Sequence, residues 1–278
     1  MTGLLRVPKP APYHRAGQGE PLLLLHPFML SHDVWADVVP HLSDHFDVVA
    51  LTLPGHWGGV PLRRRDVSLK GFADRVEEIL DELGWETCHI AGNSIGGWLS
   101  LELATRGRAR SVTAIAPAGG WTKYSLSQII IGAKFAVLVP LVLLGRITGD
   151  IGRRLGPLRN LVMRVVSADV AAVPRARADN VVRAASNCPS FLSYLWADLR
   201  DGGLQGLDKV TVPVQLVFCA EDWLVPQPRY SRMFTEGLPQ AAVTTLPGVG
   251  HVPALESPEL VAELIRAHIE AIPSADTA

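Results

Sequence analysis

Ser94 stands between two glycines in the stretch Gly92-Asn93-Ser94-Ile95-Gly96, and Gly97 follows directly. Glycine costs a helix or strand interior roughly 0.5–1 kcal/mol relative to alanine, so this crowding of small residues calls for a backbone reason. The stretch fits G-x-S-x-G, in which glycines make room for a sharp turn that lifts a serine hydroxyl above a sheet edge. A helix starting directly behind it aims backbone N–H groups and the positive end of its dipole at the same place. Serine alone is a poor nucleophile. It needs a general base, and the base needs a group to orient it, both brought from elsewhere in the chain. Asp222 follows the apolar run VQLVFCAED, and His251 follows TTLPGVG. Either residue alone reads as a loop residue. Three of them, in the order Ser94, Asp222, His251 after three separate strand-like runs, point to covalent nucleophilic catalysis.

Such a site needs elements to hold it. Six short apolar runs end in Gly, Pro or polar residues: PLLLLHPF at 21–28, FDVVALTLPG at 46–55, TCHIAGNS at 87–94, SVTAIAPAG at 111–119, VPVQLVFCAED at 212–222 and AAVTTLPGVGH at 241–251. They are predicted as strands buried on both faces. Between them, residues 68–84 place Phe72, Val76, Ile79, Leu80 and Leu83 on one helical stripe. Residues 257–272 do the same with Leu260, Leu264 and Ile265, with Ser257 as N-cap and Pro258 at the first helical position. Strand alternating with helix predicts an α/β fold with a mostly parallel, doubly wound sheet covered on both sides. The alternation stops after Gly120 and resumes near Val212, so residues 121–205 are expected to form an inserted helical cap of several short helices. Residues 1–120 and 206–278 then form the core.

The 278 residues, 48% hydrophobic and 19% charged, suffice for one large domain or a core with an inserted subdomain. A net charge of −1 gives no field that would draw nucleic acid, and Arg63-Arg64-Arg65 reads as a solvated loop. Cys88, Cys188 and Cys219 are odd in number and widely spaced, which suggests neither a disulfide framework nor a thiolate metal site. A reducing, cytoplasmic compartment fits, and the N-terminus MTGLLRVPKPAPYHRAG does not read as a secretory signal. The apolar segment 129–145, IIIGAKFAVLVPLVLLG, is interrupted by Lys134 and Pro140 and falls short of the ~20 apolar residues of a span. A buried or cleft-lining helix pair is expected there, without stable membrane insertion.

The stretches LLLLHPFMLSHDVW, VVALTLPGHWGG, HIAGNSIGGW, PVQLVFCAEDWLVP and LPGVGHVPALESPELV together resemble the α/β-hydrolases of the capped, single-domain type over nearly the whole chain. The resemblance implies Ser94 as nucleophile, His251 as base and Asp222 as the acid that holds its tautomer; Glu221 matches the pattern less well. It also implies an oxyanion hole from the backbone N–H groups of Ile95 and Phe28. Members usually read H-G-x where this chain reads His26-Pro27-Phe28, and proline has no N–H to donate. His26 is expected to shape that loop. The implied activity is a serine hydrolase cleaving an ester of a small, largely apolar substrate, with Trp98, Trp121, Phe135, Trp223 and Val252 as candidate pocket residues. No metal, cofactor or nucleic-acid partner is implied, and the chain is expected to be a monomer or dimer. Two alternatives stand beside this reading. One is a carbon–carbon bond hydrolase, whose pattern usually has Trp where Val252 stands and in which Arg175, Arg177 or Arg183 would bind a carboxylate. The other is a small-molecule receptor with little turnover.

Overall fold

The computed structural model describes residues 10–154 and 156–272, and the side chains of 149–154 and 158 lie outside that description. Most of the N-terminal stretch read for a signal, and the last six residues of the expected core, therefore fall outside it. Seven strands form one sheet: β1 Tyr13–Ala16, β2 Glu20–Leu25, β3 Phe46–Leu51, β4 Cys88–Asn93, β5 Ala109–Ile115, β6 Val214–Cys219 and β7 Ala242–Leu246, in the order β1-β3-β2-β4-β5-β6-β7. β1 pairs antiparallel with β3, and the other neighbours are parallel. The helices are α1 Val39–Leu42, α2 Leu69–Glu82, α3 Ile95–Thr105, α4 Leu126–Arg154, α5 Gly156–Val166, α6 Arg175–Asn187, α7 Phe191–Asp201, α8 Arg232–Gly237 and α9 Pro258–Glu270.

The central strands behave as their sequences demand: Leu22 to Leu25 of β2 and the whole of β4 are buried, as expected of strands with helices on both faces. Two strands differ from the sequence reading. β1 has no apolar run and exposes most of its residues, so only its pairing with the edge of β3 makes it a strand. β7 forms the opposite edge, and Val243 faces solvent rather than a covering helix.

α2 carries its predicted stripe inward, and its N-cap Ser68 accepts a hydrogen bond from the N–H of Gly71 at 3.0 Å. α9 starts after Ser257 with Pro258 in its first turn, but it buries Val261, Ala262, Ile265 and Ile269. Leu260 is exposed and Leu264 half-buried. The helix has apolar residues on more than one side, so the sheet, and not the pattern, selected the buried face.

Between β5 and β6 the described residues form helices joined by loops, with no strand among them, and α4 corrects two expectations. It is one helix of 29 residues, where several short helices were expected, and Pro140 sits inside it without dividing it into a pair. Pro140 lies on the exposed side, where water can serve the Ala136 carbonyl that lost its donor. Much of α4 is also exposed rather than buried.

Candidate active site

β4 ends at Asn93 and α3 begins at Ile95, so Ser94 alone makes the turn, with φ +58° and ψ −116°. For a residue with a Cβ this conformation is strained, by an order of 1–3 kcal/mol, and persists only where the surroundings enforce it. The Ser94 N–H donates to the Ile115 carbonyl at 2.9 Å, and the Ser94 carbonyl accepts from Trp98 at 3.0 Å and Ala118 at 2.9 Å. The glycines permit the close approach: a Cβ on Gly96 would sit 2.2 Å from the Leu25 carbonyl oxygen, and one on Gly92 would sit 2.2 Å from the carbonyl oxygen of Gly96. Because the first bond of α3 runs from Trp98 N–H to Ser94 O, the N–H groups of Ile95, Gly96 and Gly97 have no intrahelical acceptor and stand at the positive end of the dipole.

His251 and Asp222 reach the same place from the loops after β7 and β6. His251 Nδ1 lies 2.7 Å from Asp222 Oδ2, with both side chains 2% exposed. The other oxygen, Oδ1, accepts from the N–H groups of Leu224 at 2.8 Å and Val225 at 2.9 Å. Burial pushes the Asp222 carboxyl up, but the His251 charge, its hydrogen bond and these two N–H groups outweigh burial and leave it below the ordinary carboxylate range. An ionised carboxylate can only accept, so His251 Nδ1 donates, and in the neutral imidazole Nε2 is then the acceptor.

The loop after β2 brings Phe28 to the site. His26 is fully buried, and its Nε2 accepts from the Leu53 N–H at 2.8 Å, so Nδ1 carries the proton donated to the Pro27 carbonyl at 2.7 Å. Burial, with repulsion from His56, holds His26 well below its usual pKa, so it stays neutral and ties the loop to the chain just beyond β3. Met29 turns the chain with φ +69°. β2 and β4 are neighbours from which the sheet is extended in opposite directions, so Phe28 and Ser94 flank the switch point where open α/β sheets bind ligands.

Two cavities meet at Ser94 and His251. The smaller, about 70 Å³, is walled by Leu138, Leu141 and Val142 of α4 with valines of α5 and α6; the larger, about 340 Å³, is walled by Trp121, Ile131, Tyr194 and Leu199. Phe28, Phe135 and Leu224 border both. Of the pocket residues expected from sequence, Trp121 and Phe135 therefore reach the cleft. Trp98 does not: it is packed edge-on to Trp121 at 5.7 Å and borders a separate, polar cleft near Lys70 and Glu102. Trp223 points outward, 51% exposed, under the Lys134 ammonium at 4.7 Å. Val252 is fully buried in the core, its N–H donating to the Val166 carbonyl at 2.8 Å.

Three further residues brace the site. Asn93 Nδ2 donates to the carbonyls of Ile115 and His251, both at 3.0 Å, locking the elbow to the histidine loop. Glu256 accepts from the N–H groups of Gly250 and Asp169, both at 2.8 Å. Lys134 donates to the carbonyls of Trp223 and Leu224, binding the loop of Asp222 to α4. Only Asn93 left a trace in sequence, as the variable position of G-x-S-x-G; the others are joined to the site by contacts no spacing reveals.

Asp198 borders the larger cavity, and burial followed by the charge of Asp201 raises its carboxyl to about 7. The unfolded carboxyl ionises near 3.8, whereas the folded one keeps its proton to about 7, so folding loses stability as pH rises between these values. Asp198→Asn should therefore raise Tm at pH 8.5 by at least about 2 °C and change it little at pH 4. Equal shifts at both pH values in a calorimetric scan would contradict a neutral carboxyl in the fold.

A mostly parallel sheet carrying a serine on a strained strand-to-helix turn, with a His–Asp pair from later loops, defines a hydrolase architecture. The chain belongs to the α/β hydrolase family, whose sequence profile matches residues 22–264. It is 45% identical over 200 residues to the epoxide hydrolase EphH of Mycobacterium tuberculosis, covering 72% of this chain and 94% of that one. It is 28% identical over 264 residues to the pimeloyl-[acyl-carrier protein] methyl ester esterase of Aeromonas salmonicida, covering 91% and 96%. Among solved structures, an epoxide hydrolase from Bacillus megaterium superposes with a TM-score of 0.75 at 20% identity, covering 93% of this chain and 96% of that one.

Proposed function

We propose that this hydrolase cleaves esters of small, largely apolar acids or alcohols through an acyl-enzyme on Ser94. The observation that carries the reading is the meeting of two apolar cavities at Ser94 and His251, because an ester has a substituent on each side of its reacting carbonyl and each needs room. His251 Nε2 takes the proton as Ser94 Oγ attacks the acyl carbon, and the N–H groups of Ile95 and Phe28 hold the developing oxyanion. The leaving alkoxide takes the proton from His251. Water, deprotonated by His251, then splits the acyl-serine, releasing the acid and restoring Ser94. Helices α4 to α7 serve as the cap that excludes bulk water.

Likeness to EphH makes epoxide opening the second reading. The chemistry of residue 94 weighs against it: a serine attacking an epoxide carbon forms an ether, with no acyl carbon at which water can release the product. A carbon–carbon bond hydrolase acting on a carboxylated substrate has less support. No lysine or arginine borders either cavity among the described residues, and Arg177 is held by Asp37 in two bonds at 2.8 and 2.7 Å.

Each methylene buried in an apolar cavity contributes about 0.8 kcal/mol. For p-nitrophenyl esters from acetate to octanoate, kcat/KM should rise roughly three- to fourfold per carbon until the cavity is full. A flat or falling series would contradict an apolar acyl site, and diol formation from styrene oxide that depends on Ser94 would install the epoxide reading instead. Binding of esters without turnover would make the chain a receptor.

A further inference from the structure

From Leu126 to Gly145, α4 has apolar residues on every side, yet only one side has protein to pack against. Within Leu126–Thr148, 23 residues, the most apolar stretch has a mean hydropathy of 2.1, and 17% of that stretch is buried. The inward side packs on α6 and borders the two cavities, with Phe135, Leu138 and Val142 in the wall of the smaller one. The outward side exposes Leu126, Ile129, Val137, Leu143, Leu144 and Ile147, with Val137 72% and Ile147 82% exposed. On a helix these positions, with Ala133, Ala136 and Pro140 between them, fall on one stripe of roughly 120° that runs about 32 Å and contains no charge. Soluble chains rarely leave such a stripe bare.

We infer that this face of α4 docks on the surface of an anionic lipid bilayer, with the helix lying in the interface plane. Charge selects the occupant. Residues 121–205 carry 11 Lys and Arg against 5 Asp and no Glu, a net +6, while the rest of the chain is net −7. Lys123, Arg146 and Arg164 of this basic half are exposed. Two copies meeting through these faces would bring like charges together, whereas anionic headgroups attract them. The helix lies on the bilayer and does not cross it. Its inward side is packed on α6, and Lys134 is anchored to the Trp223 and Leu224 carbonyls, contacts that crossing would break. The face is also continuous with the cleft, because Ile129, Ala133 and Ala136 belong both to the exposed side and to the wall of the larger cavity. A bilayer-dissolved apolar molecule therefore meets the cavity wall at the docking surface.

The test is flotation of the purified full chain with vesicles of phosphatidylcholine alone or mixed with phosphatidylglycerol. The chain should float with the mixed vesicles at least tenfold more than with phosphatidylcholine alone, and 0.5 M NaCl should reduce the difference. Val137→Glu/Leu144→Glu/Ile147→Glu should lose at least tenfold in vesicle binding while keeping its hydrolysis of a soluble short-chain ester, since none of the three borders a cavity. If the triple variant does not fold, Ile147→Glu alone and the charge reversal Lys123→Glu/Arg146→Glu should each weaken binding several-fold. Wild-type chain that stays at the bottom with both vesicles overturns the inference. So do variants that float as wild type does, and so does a wild-type dimer that the triple variant converts to monomer without any vesicle binding. An absence of ester hydrolysis would refute the proposed activity and leave the flotation result standing.

Discussion

Ser94→Ala should lower kcat/KM for p-nitrophenyl esters by at least about a thousandfold, because removing the member of a serine triad that forms the acyl bond leaves only binding and the oxyanion donors. The fold should survive, since the bonds that fix the turn use the backbone of Ser94 and not its hydroxyl. Alanine inherits the strain at φ +58°, so its Tm should stay close to that of the wild type. Ser94→Gly separates the two effects. Glycine adopts positive φ without a Cβ penalty, so this variant should be equally inactive yet melt about 2–4 °C higher. Retention of more than about a tenth of the wild-type rate by purified Ser94→Ala would remove Ser94 from the mechanism. A Tm for Ser94→Gly below that of Ser94→Ala would show that the turn is not strained.

The second large effect concerns Asp222, the acid of the proposed mechanism. Asp222→Asn keeps an acceptor for the N–H groups of Leu224 and Val225, so the loop should hold its shape. Its amide, however, presents N–H to His251 Nδ1, now 2.7 Å from a carboxylate oxygen. The imidazole then carries its proton on Nε2 and has no free base to offer Ser94, a fault that costs about 10⁴ in rate in triads of this kind. Glu221 is exposed on the same loop, with its N–H donating to the Val249 carbonyl, and Glu221→Gln should change the rate by less than about twofold. Steady-state kinetics on both variants decide the matter: the opposite ranking would transfer the acid role to Glu221.

Much of this architecture is legible in the sequence because it is written locally. Five central strands each carry a short apolar run, α2 has a single stripe and a serine cap, and the elbow announces itself through glycines whose missing Cβ atoms permit a close approach. The order of Ser94, Asp222 and His251 follows from chain direction, since each lies just beyond the carboxyl end of a parallel strand. What the local pattern lacked was a reference direction. α9 and α4 have apolar residues on several sides, so the choice of Val261 over Leu260 for burial, and the bare side of α4, depended on what stood opposite. The same holds for Trp98, whose apolar ring suits a cleft as well as a core.

The sequence by itself pointed to the alternation of strands and helices, the sharp turn at Ser94 and the candidate set of nucleophile, base and acid, because each of these signals lies within a few positions of the strand end it follows. Tertiary structure alone decided the strand β1, the continuity of α4 across Pro140, the outward placement of Trp223 and the bracing of the site by Asn93, Glu256 and Lys134. Asn93 and His251 are 158 residues apart, and Lys134 and Leu224 are 90 apart. Hydrogen bonds over such separations come into being only when the sheet order brings the loops together at one edge, and no periodicity within the chain encodes that meeting.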